Sequence, residues 1–252
     1  MLELYNYYER CLGEAVAMLQ ESLEKRLIAL VLSGSLAKRT LVKGWSDIDL
    51  LAVCTDASFK AQTAFKEVKV SLEQSYNIHL GLSVATETEF FEDSSRVGEL
   101  KLLLVKQNLA LGIARFVYTR YDELREVKAP ENQWVATLAL SEINQYRGRV
   151  RKAVRDQVGV ELLKSCIKCV FFIFRMALAK TERTCPYYDS IIDNSSEVFG
   201  SFPLGMETLR EANTARYRIE KNDLDVAGIS ERIVDLVEEF VPWFERTFCQ
   251  RG

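Results

Sequence analysis

Histidine is nearly absent from this chain: His79 is the only one among 252 residues. A site built from several imidazoles, as in many zinc centres, is therefore excluded. Proline is scarce at four residues and glycine stands at twelve, which excludes collagen-like and proline-rich disordered chains. Basic charge is not in excess. Lys and Arg total 33 against 36 Asp and Glu, for a formal charge of −3. A polycation that wraps nucleic acid through net charge is thus excluded, and extensive nucleic-acid binding is not expected, although a local basic patch stays compatible with the composition. Long hydrophobic runs are missing too. The best one, Cys169 to Phe174, is closed by Lys168 and Arg175, far short of the ~18–20 residues that span a bilayer. No membrane partner is expected. The start, Met1-Leu2-Glu3-Leu4, lacks the basic opening of a signal peptide.

What the chain does have is a 48% apolar fraction, enough for a real core, in a length that suits one large domain or two modest ones. Its six cysteines, at 11, 54, 166, 169, 185 and 249, are scattered through apolar segments. That distribution predicts reduced thiols and a cytoplasmic protein. Cys166 and Cys169 have the spacing of metal ligands, but no second pair follows, and a buried helix face is the better reading.

The apolar periodicity divides the chain in two. Leu12, Ala15, Leu19 and Leu23 predict a helix over residues 1–26. A β-forming run, Leu27 to Leu32, ends at the turn signal Ser33-Gly34-Ser35. A second strand is predicted over Asp47–Cys54, a helix over 57–75, a third strand over Ile78–Val84, a helix over 95–109 and a short strand over Arg115–Tyr118. After Lys128-Ala129-Pro130 no strand is evident, and helices are predicted near 131–157, 160–181, 187–198, 204–222 and 228–248. The segment 160–181 is apolar nearly all round and should be the central helix of a bundle. The expected fold is α+β: a small mixed-sheet domain over residues 1–128, followed by an all-α helical bundle domain over 129–252.

The stretch that carries chemistry is Val31-Leu32-Ser33-Gly34-Ser35-Leu36-Ala37, followed by Ser46-Asp47-Ile48-Asp49-Leu50. A strand running into Gly-Ser and then a helix makes a tight corner where backbone can approach a ligand. The first N–H groups of such a helix favour an anion, and Ser35 adds a hydroxyl donor, so the corner suits a terminal phosphate. Asp47 and Asp49 are two apart on a strand, which puts both carboxylates on one face. Side by side they repel unless a cation sits between them. Oxygen-only ligands of this kind suit Mg²⁺, which takes one or two carboxylates together with phosphate oxygens and water. Ile48 and Leu50 should point the other way, into the core.

This pattern resembles the signature of the DNA polymerase β-like nucleotidyltransferase superfamily: an apolar strand, Gly-Ser, about a dozen residues, then Asp-apolar-Asp-apolar. Here eleven residues separate Ser35 from Asp47, and Ser46 and Ala37 also fit. The strand–helix order to residue ~120 is similar to that of small bacterial and archaeal members, and the helical second half, in outline, to antibiotic-adenylating ones. The resemblance implies that Gly34 and Ser35 hold the phosphates of a nucleoside triphosphate. It further implies that Asp47 and Asp49 bind the divalent metal, Mg²⁺ or Mn²⁺, that bridges them. The implied activity moves a nucleoside monophosphate from the triphosphate to a hydroxyl of a small-molecule or other acceptor and releases pyrophosphate. The alternatives are a catalytically impaired nucleotide-binding regulatory protein of the same fold, and nucleotidyl transfer to RNA or protein. Homo-oligomer formation is left open.

The chain departs from the pattern in two places. Many relatives carry a third acid on the next strand, whereas this one offers His79, Gly81 and Ser83. The base is then expected from the helical half, with Glu142 the candidate, or from His79, whose ordinary pKa of ~6.5 allows it. Relatives also often read Ala-Arg-Gly after the Gly-Ser corner, where this chain reads Ala37-Lys38-Arg39-Thr40. Lys38 and Arg39 are the candidates for a cationic contact with phosphate. Two further features are set beside these. Arg147, Arg151 and Arg155 form one helical stripe, either a solvated flank or a lining for an anionic ligand. Glu87 to Asp93 holds four acids, read as a helix start favoured by its dipole or as contacts for a cationic substrate.

Overall fold

The computed structural model describes residues 2–56, 59–91, 100–121, 127, 132–202, 206–220 and 224–249. The chain forms two compact units, Met1–Pro130 and Glu131–Gly252.

The first unit is a four-stranded mixed sheet with helices on both faces. Helix α1 spans Leu2–Leu23 and gives way to a single 3-10 turn, Glu24–Arg26, before strand β1, Leu27–Ser33. The predicted helix to residue 26 stops early because Glu24 adopts a left-handed φ of 46°, which an α-helix cannot carry. One turn of helix, α2 (Gly34–Ala37), follows β1 directly. Strand β2 is Ile48–Cys54, helix α3 Phe59–Tyr76, strand β3 Leu80–Thr86, helix α4 Glu87–Phe91, helix α5 Leu100–Ala110 and strand β4 Arg115–Thr119. The strand order is β3-β2-β1-β4. β1 pairs antiparallel with both β2 and β4, and β2 pairs parallel with β3. Every residue of β1 is buried, as expected of a strand covered on both faces.

Side-chain alternation sorts the two faces. Leu30, Leu32, Ile48, Leu50 and Ala52 pack with Leu12, Ala15 and Leu19 of α1 and with Phe65, Val68 and Leu72 of α3. On the other face Ile28, Val31, Leu51 and Val53 pack with Phe90 of α4 and with Leu102 and Val105 of α5. The third strand starts two residues later than the sequence suggests. Ile78 is buried against the first face without joining the sheet, and the His79 carbonyl accepts from the Ile48 N–H at 3.0 Å where the ladder begins. Residues 95–99 of the predicted helix, and Glu92 and Asp93 of the acidic run, lie outside the described residues.

The second unit is helical among its described residues: α6 (Asn132–Asp156), α7 (Gly159–Lys180), α8 (Tyr188–Val198), α9 (Glu207–Arg218) and α10 (Val226–Phe244), which runs on into a π-helical turn, Glu245–Cys249. α7 is the central helix, with eleven buried residues from Leu163 to Leu178. It packs on all four others. Phe174, Phe199 and Phe240 form its aromatic centre, with Phe174 and Phe240 stacked at 4.0 Å between ring centroids. Cys166 and Cys169 are free and buried, and burial pushes their thiols up to about 12 and about 11. Thiols held that firmly in the neutral form are packing residues, not ligands. Arg147 and Arg151 of the predicted stripe both grip Glu238 of α10, Nε to Oε2 at 3.0 Å and Nε to Oε1 at 2.6 Å. No helix among the described residues is long and apolar enough to cross a membrane.

Candidate active site

Residues 33–49 are folded into a corner by their own short-range bonds. β1 ends where Ser33 stands opposite Asp49 of β2. Gly34 then takes a φ of 72°, in the left-handed region that glycine enters without steric cost. The helix expected after the Gly-Ser bend is only the four residues of α2, so its dipole is small. Its first backbone N–H groups nevertheless have no acceptor inside the turn. Leu36 points down and is 2% exposed, which anchors the turn to the core. The chain returns through Val42 and Trp45, both buried. Ser46 closes this loop twice: its N–H donates to the Val42 carbonyl at 2.9 Å, and its hydroxyl accepts from the Val42 N–H at 2.8 Å.

The peptides on either side of Asp47 are both held. Tyr8 of α1 donates its hydroxyl to the Ser46 carbonyl at 2.7 Å, and the Ser35 hydroxyl lies 3.5 Å from the Asp47 carbonyl. Burial, with the Asp47 charge second, pushes the Tyr8 phenol up to about 12, so it remains a donor at any physiological pH. Asp47 and Asp49 are both half-buried, while Ile48 and Leu50 between and beyond them are fully buried on the opposite face. The alternation expected from the sequence is thus present.

Asp49 has the most constrained surroundings. A Cβ placed on Gly34 would lie 2.3 Å from Oδ2 of Asp49, and one placed on Gly81 would lie 2.5 Å from Oδ1. The carboxylate therefore reaches across β2 with one oxygen over the end of β1 and the other over the start of β3. Gly81 is also its register partner in the parallel ladder. The position beside Asp49 on β3 holds no acid, and the Asp49 conformation seen here leaves no room for one.

The other candidates are placed as follows. Lys38 caps α2, with its N–H donating to the Gly34 carbonyl at 3.1 Å. Arg39 is exposed, has a left-handed φ of 56°, and its charge acts on the Tyr5 phenol, which burial raises and Arg39 lowers. His79 is exposed, and its Nδ1 pairs with Oε1 of Glu73 on α3 at 2.7 Å. Ser83 lies opposite Leu51, a step beyond the Asp49 level. Glu142 belongs to the helical unit. It is half-buried on α6 and close enough to raise the Tyr146 phenol slightly, after the dominant effect of burial. Glu87, at the end of β3, accepts from the Tyr121 hydroxyl at 2.9 Å. Gly34, Ser35, Asp47 and Asp49 are the four predicted residues that the fold brings into one corner.

The donor set fits a divalent cation of the Mg²⁺ type. It offers two half-buried carboxylates, Asp49 on β2 and Asp47 immediately before that strand, beside a bend whose hydroxyl and N–H groups suit phosphate. Among the described residues no three His, Cys, Asp or Glu converge on a point that could hold a metal unaided. A cation there needs ligand oxygens from a bound phosphate. Sequence reading missed Tyr8 and Gly81. Their roles depend on α1 crossing over the loop and on the β2–β3 register, neither of which leaves a local mark.

No family model and no curated protein matches the chain. Among solved structures it is similar to a spectinomycin adenyltransferase from Enterococcus faecialis, determined with ATP and spectinomycin. That likeness has a TM-score of 0.54 at 15% identity and covers 91% of this chain and 99% of that one. A looser likeness reaches two CdnE enzymes. One is a c-di-GMP synthase from Capnocytophaga granulosa, at TM-score 0.29 and 14% identity over 98% of this chain and 82% of that one. The other is a cyclic dinucleotide synthase from Elizabethkingia meningoseptica, at TM-score 0.27 and 13% identity over 93% and 91%. The likeness to the adenyltransferase is one of fold, a mixed-sheet α+β domain followed by helices.

Proposed function

We propose that the chain is a divalent-metal-dependent nucleotidyltransferase. The observation that carries this reading is the meeting of the Gly34–Ser35 bend with the Asp47–Asp49 pair, with an Asp49 oxygen laid against Gly34. Gly34 leaves the backbone bare enough for a phosphate chain to come close, and the Ser35 hydroxyl donates to it. Asp47 and Asp49 hold the cation. When bound, Mg²⁺ or Mn²⁺ would offset negative charge on the phosphates and ease the departure of pyrophosphate. Lys38 and Arg39 add positive charge beside the bend. The acceptor hydroxyl attacks the α-phosphorus, the bond from that phosphorus to the bridging oxygen breaks, and pyrophosphate leaves. The acceptor's proton is released to water. Positioning and fixed charge supply most of the rate in such a transfer.

A small molecule with a free hydroxyl is the proposed acceptor. The likeness to an adenyltransferase determined with ATP and spectinomycin supports that choice over a macromolecule, as does the net charge of −3. The test is pyrophosphate release from ATP, GTP, CTP and UTP with Mg²⁺ and a panel of hydroxylated small molecules. The expected result is release that needs both metal and acceptor and is abolished in Asp47→Asn and Asp49→Asn. Undiminished release in both variants would remove the assignment. One observation favours a second reading, nucleotide binding without turnover. Gly81 stands where an acid would complete the site from β3. Metal-dependent triphosphate binding with no pyrophosphate release across the panel selects that reading.

A further inference from the structure

The connection between α3 and β3 is closed by a side chain that the proposed transfer does not use. Glu73 lies in the last turn of α3, where the helix dipole disfavours a carboxylate. Its backbone carbonyl accepts from the Asn77 N–H at 2.9 Å, and Asn77 turns the chain with a left-handed φ of 49°. Ile78 is then buried against the core. The Glu73 carboxylate reaches across this bend. Its Oε1 accepts from the Leu80 N–H at 2.9 Å and from Nδ1 of His79 at 2.7 Å, while Nζ of Lys69, one turn back, stands 3.7 Å away. β3 ends the sheet order. An edge strand has backbone N–H groups that its own ladder does not pair, and Glu73 supplies the acceptor for the first of them.

What Glu73 grips is a peptide group that itself grips the candidate site. The Leu80 N–H and the His79 carbonyl belong to one peptide unit, and that carbonyl accepts from the Ile48 N–H at 3.0 Å. The Ile48 N–H and the Asp47 carbonyl belong to the next unit, and the Ser35 hydroxyl lies 3.5 Å from the Asp47 carbonyl. A line of polar contacts thus runs from Glu73 through two peptide groups to the Gly-Ser bend, passing beside Asp47. The same grip fixes where β3 begins. One residue further on, Gly81 stands opposite Asp49, close enough that a Cβ on it would meet Oδ1. A carboxylate at the end of such a line polarises it, but the Glu73 side chain is 29% exposed and solvent screens its charge. The position of its oxygen is therefore the larger effect.

We propose that Glu73 is a positioning residue of the Asp47–Asp49 site. By holding the His79–Leu80 peptide it fixes the backbone at Asp47 and seats Gly81 against Asp49, and it thereby sets the affinity for a metal-bound triphosphate. This rests on the reading of that corner as a nucleotide site. His79 serves as a second donor that orients the Glu73 carboxylate.

The full chain is titrated calorimetrically with a non-hydrolysable ATP analogue, in Mg²⁺ and in chelator, well below the melting temperature. The ratio of the two affinities is the metal-dependent increment. Glu73→Ala should cut that increment about fivefold or more, and hydrogen exchange at the Ile48 amide should quicken in the same variant. Glu73→Gln, whose amide oxygen still reaches the Leu80 N–H, should keep most of the increment. Glu73→Asp keeps the charge but loses the reach. It should behave as Glu73→Ala does, and it carries the test if Glu73→Ala fails to fold. His79→Ala leaves Glu73 its bond to Leu80 and should lose less than Glu73→Ala. Lys69→Ala should match the native chain within about twofold. A lower melting temperature in Glu73→Ala with an unchanged increment would make Glu73 a purely structural residue and overturn the proposal. So would an increment kept in Glu73→Asp and lost in Glu73→Gln, which would assign the effect to charge. So would an increment lost in His79→Ala and kept in Glu73→Ala. A native chain with no metal-dependent increment removes the nucleotide reading and this proposal with it, whereas a native increment that Glu73→Ala retains removes this proposal alone.

Discussion

Asp49 is the residue on which the site turns, and two glycines decide what it can do. Neither Gly34 nor Gly81 can accept a methyl group without moving the carboxylate, since the added carbon would fall 2.3 Å and 2.5 Å from its oxygens. The two glycines are not equivalent. Gly34 also has a φ of 72°, so Gly34→Ala adds backbone strain of ~1–2 kcal/mol to the clash. Gly81 has no such strain, which makes Gly81→Ala the cleaner probe. It should lower the affinity for metal-bound triphosphate by tenfold or more while shifting the melting temperature by only a few degrees, as calorimetric titration and thermal denaturation would show. An unchanged affinity would mean that the carboxylate is free to move aside and that its placement is not what holds the cation. Tyr8→Phe tests the support from α1. It leaves the Ser46 carbonyl without its donor, at about 1–3 kcal/mol of stability, measurable by urea denaturation. At this scale the sequence was partly legible. Gly-Ser and Asp-x-Asp are local signals, because a left-handed turn needs glycine and a strand alternates every second residue. Gly81 was passed over as a place where an acid was missing, because only the parallel β2–β3 register sets it against Asp49.

The element that matters most is the β1–β2 hairpin with its long connection. Antiparallel pairing lays the end of β1 beside the start of β2, and this alone puts the bend and the aspartates together. The one-turn helix α2 gives that connection a single deep anchor, Leu36. Leu36→Ala should cost about 2–5 kcal/mol and, by loosening the turn that positions Ser35, should weaken nucleotide binding beyond what lost stability explains. Comparing binding well below the melting temperature with global stability in denaturant separates the two effects. Equal nucleotide affinity in the folded variant would show that α2 serves the core alone. Strands β1 and β2 were readable because each is a short apolar run bounded by a polar or turn signal. The onset of β3 was not, because Ile78 is apolar and buried yet sits outside the ladder. The helix after the Gly-Ser bend is expected from the sequence, but its length is not. Nothing in Lys38-Arg39-Thr40 announces the left-handed Arg39 that ends it.

Across the whole molecule, two units rest on different kinds of order. The first is a sheet sandwiched by helices. The second is an aromatic-centred bundle around α7, whose all-round apolar character made it the most legible helix in the chain. A strong ionic tie between its helices joins Glu238 of α10 to Arg147 and Arg151 of α6. Hydrogen bonding from Arg151, reinforced by Arg147, holds the Glu238 carboxyl down to about 2. A carboxylate whose pKa is depressed by folding stabilises the native state above its unfolded value and loses that contribution as pH falls toward its folded one. Glu238→Gln should therefore lower the melting temperature most above about pH 5, and the difference from the native chain should shrink steadily toward pH 2. A pH-independent difference would assign the loss to packing and not to charge. The helical stripe that carries these arginines was visible in the sequence, but its partner was not, because Glu238 lies ninety-one residues beyond Arg147.

The central claim is that the Gly34–Ser35 bend and the Asp47–Asp49 pair together hold a metal-bound triphosphate. Calorimetric titration with a non-hydrolysable ATP analogue, in Mg²⁺ and then in chelator, tests this without any knowledge of the acceptor. The account predicts binding that is at least tenfold tighter with Mg²⁺ in the native chain, and loss of that metal-dependent increment in Asp49→Asn. Equal affinity with and without Mg²⁺, or an increment that survives in both Asp47→Asn and Asp49→Asn, would contradict it.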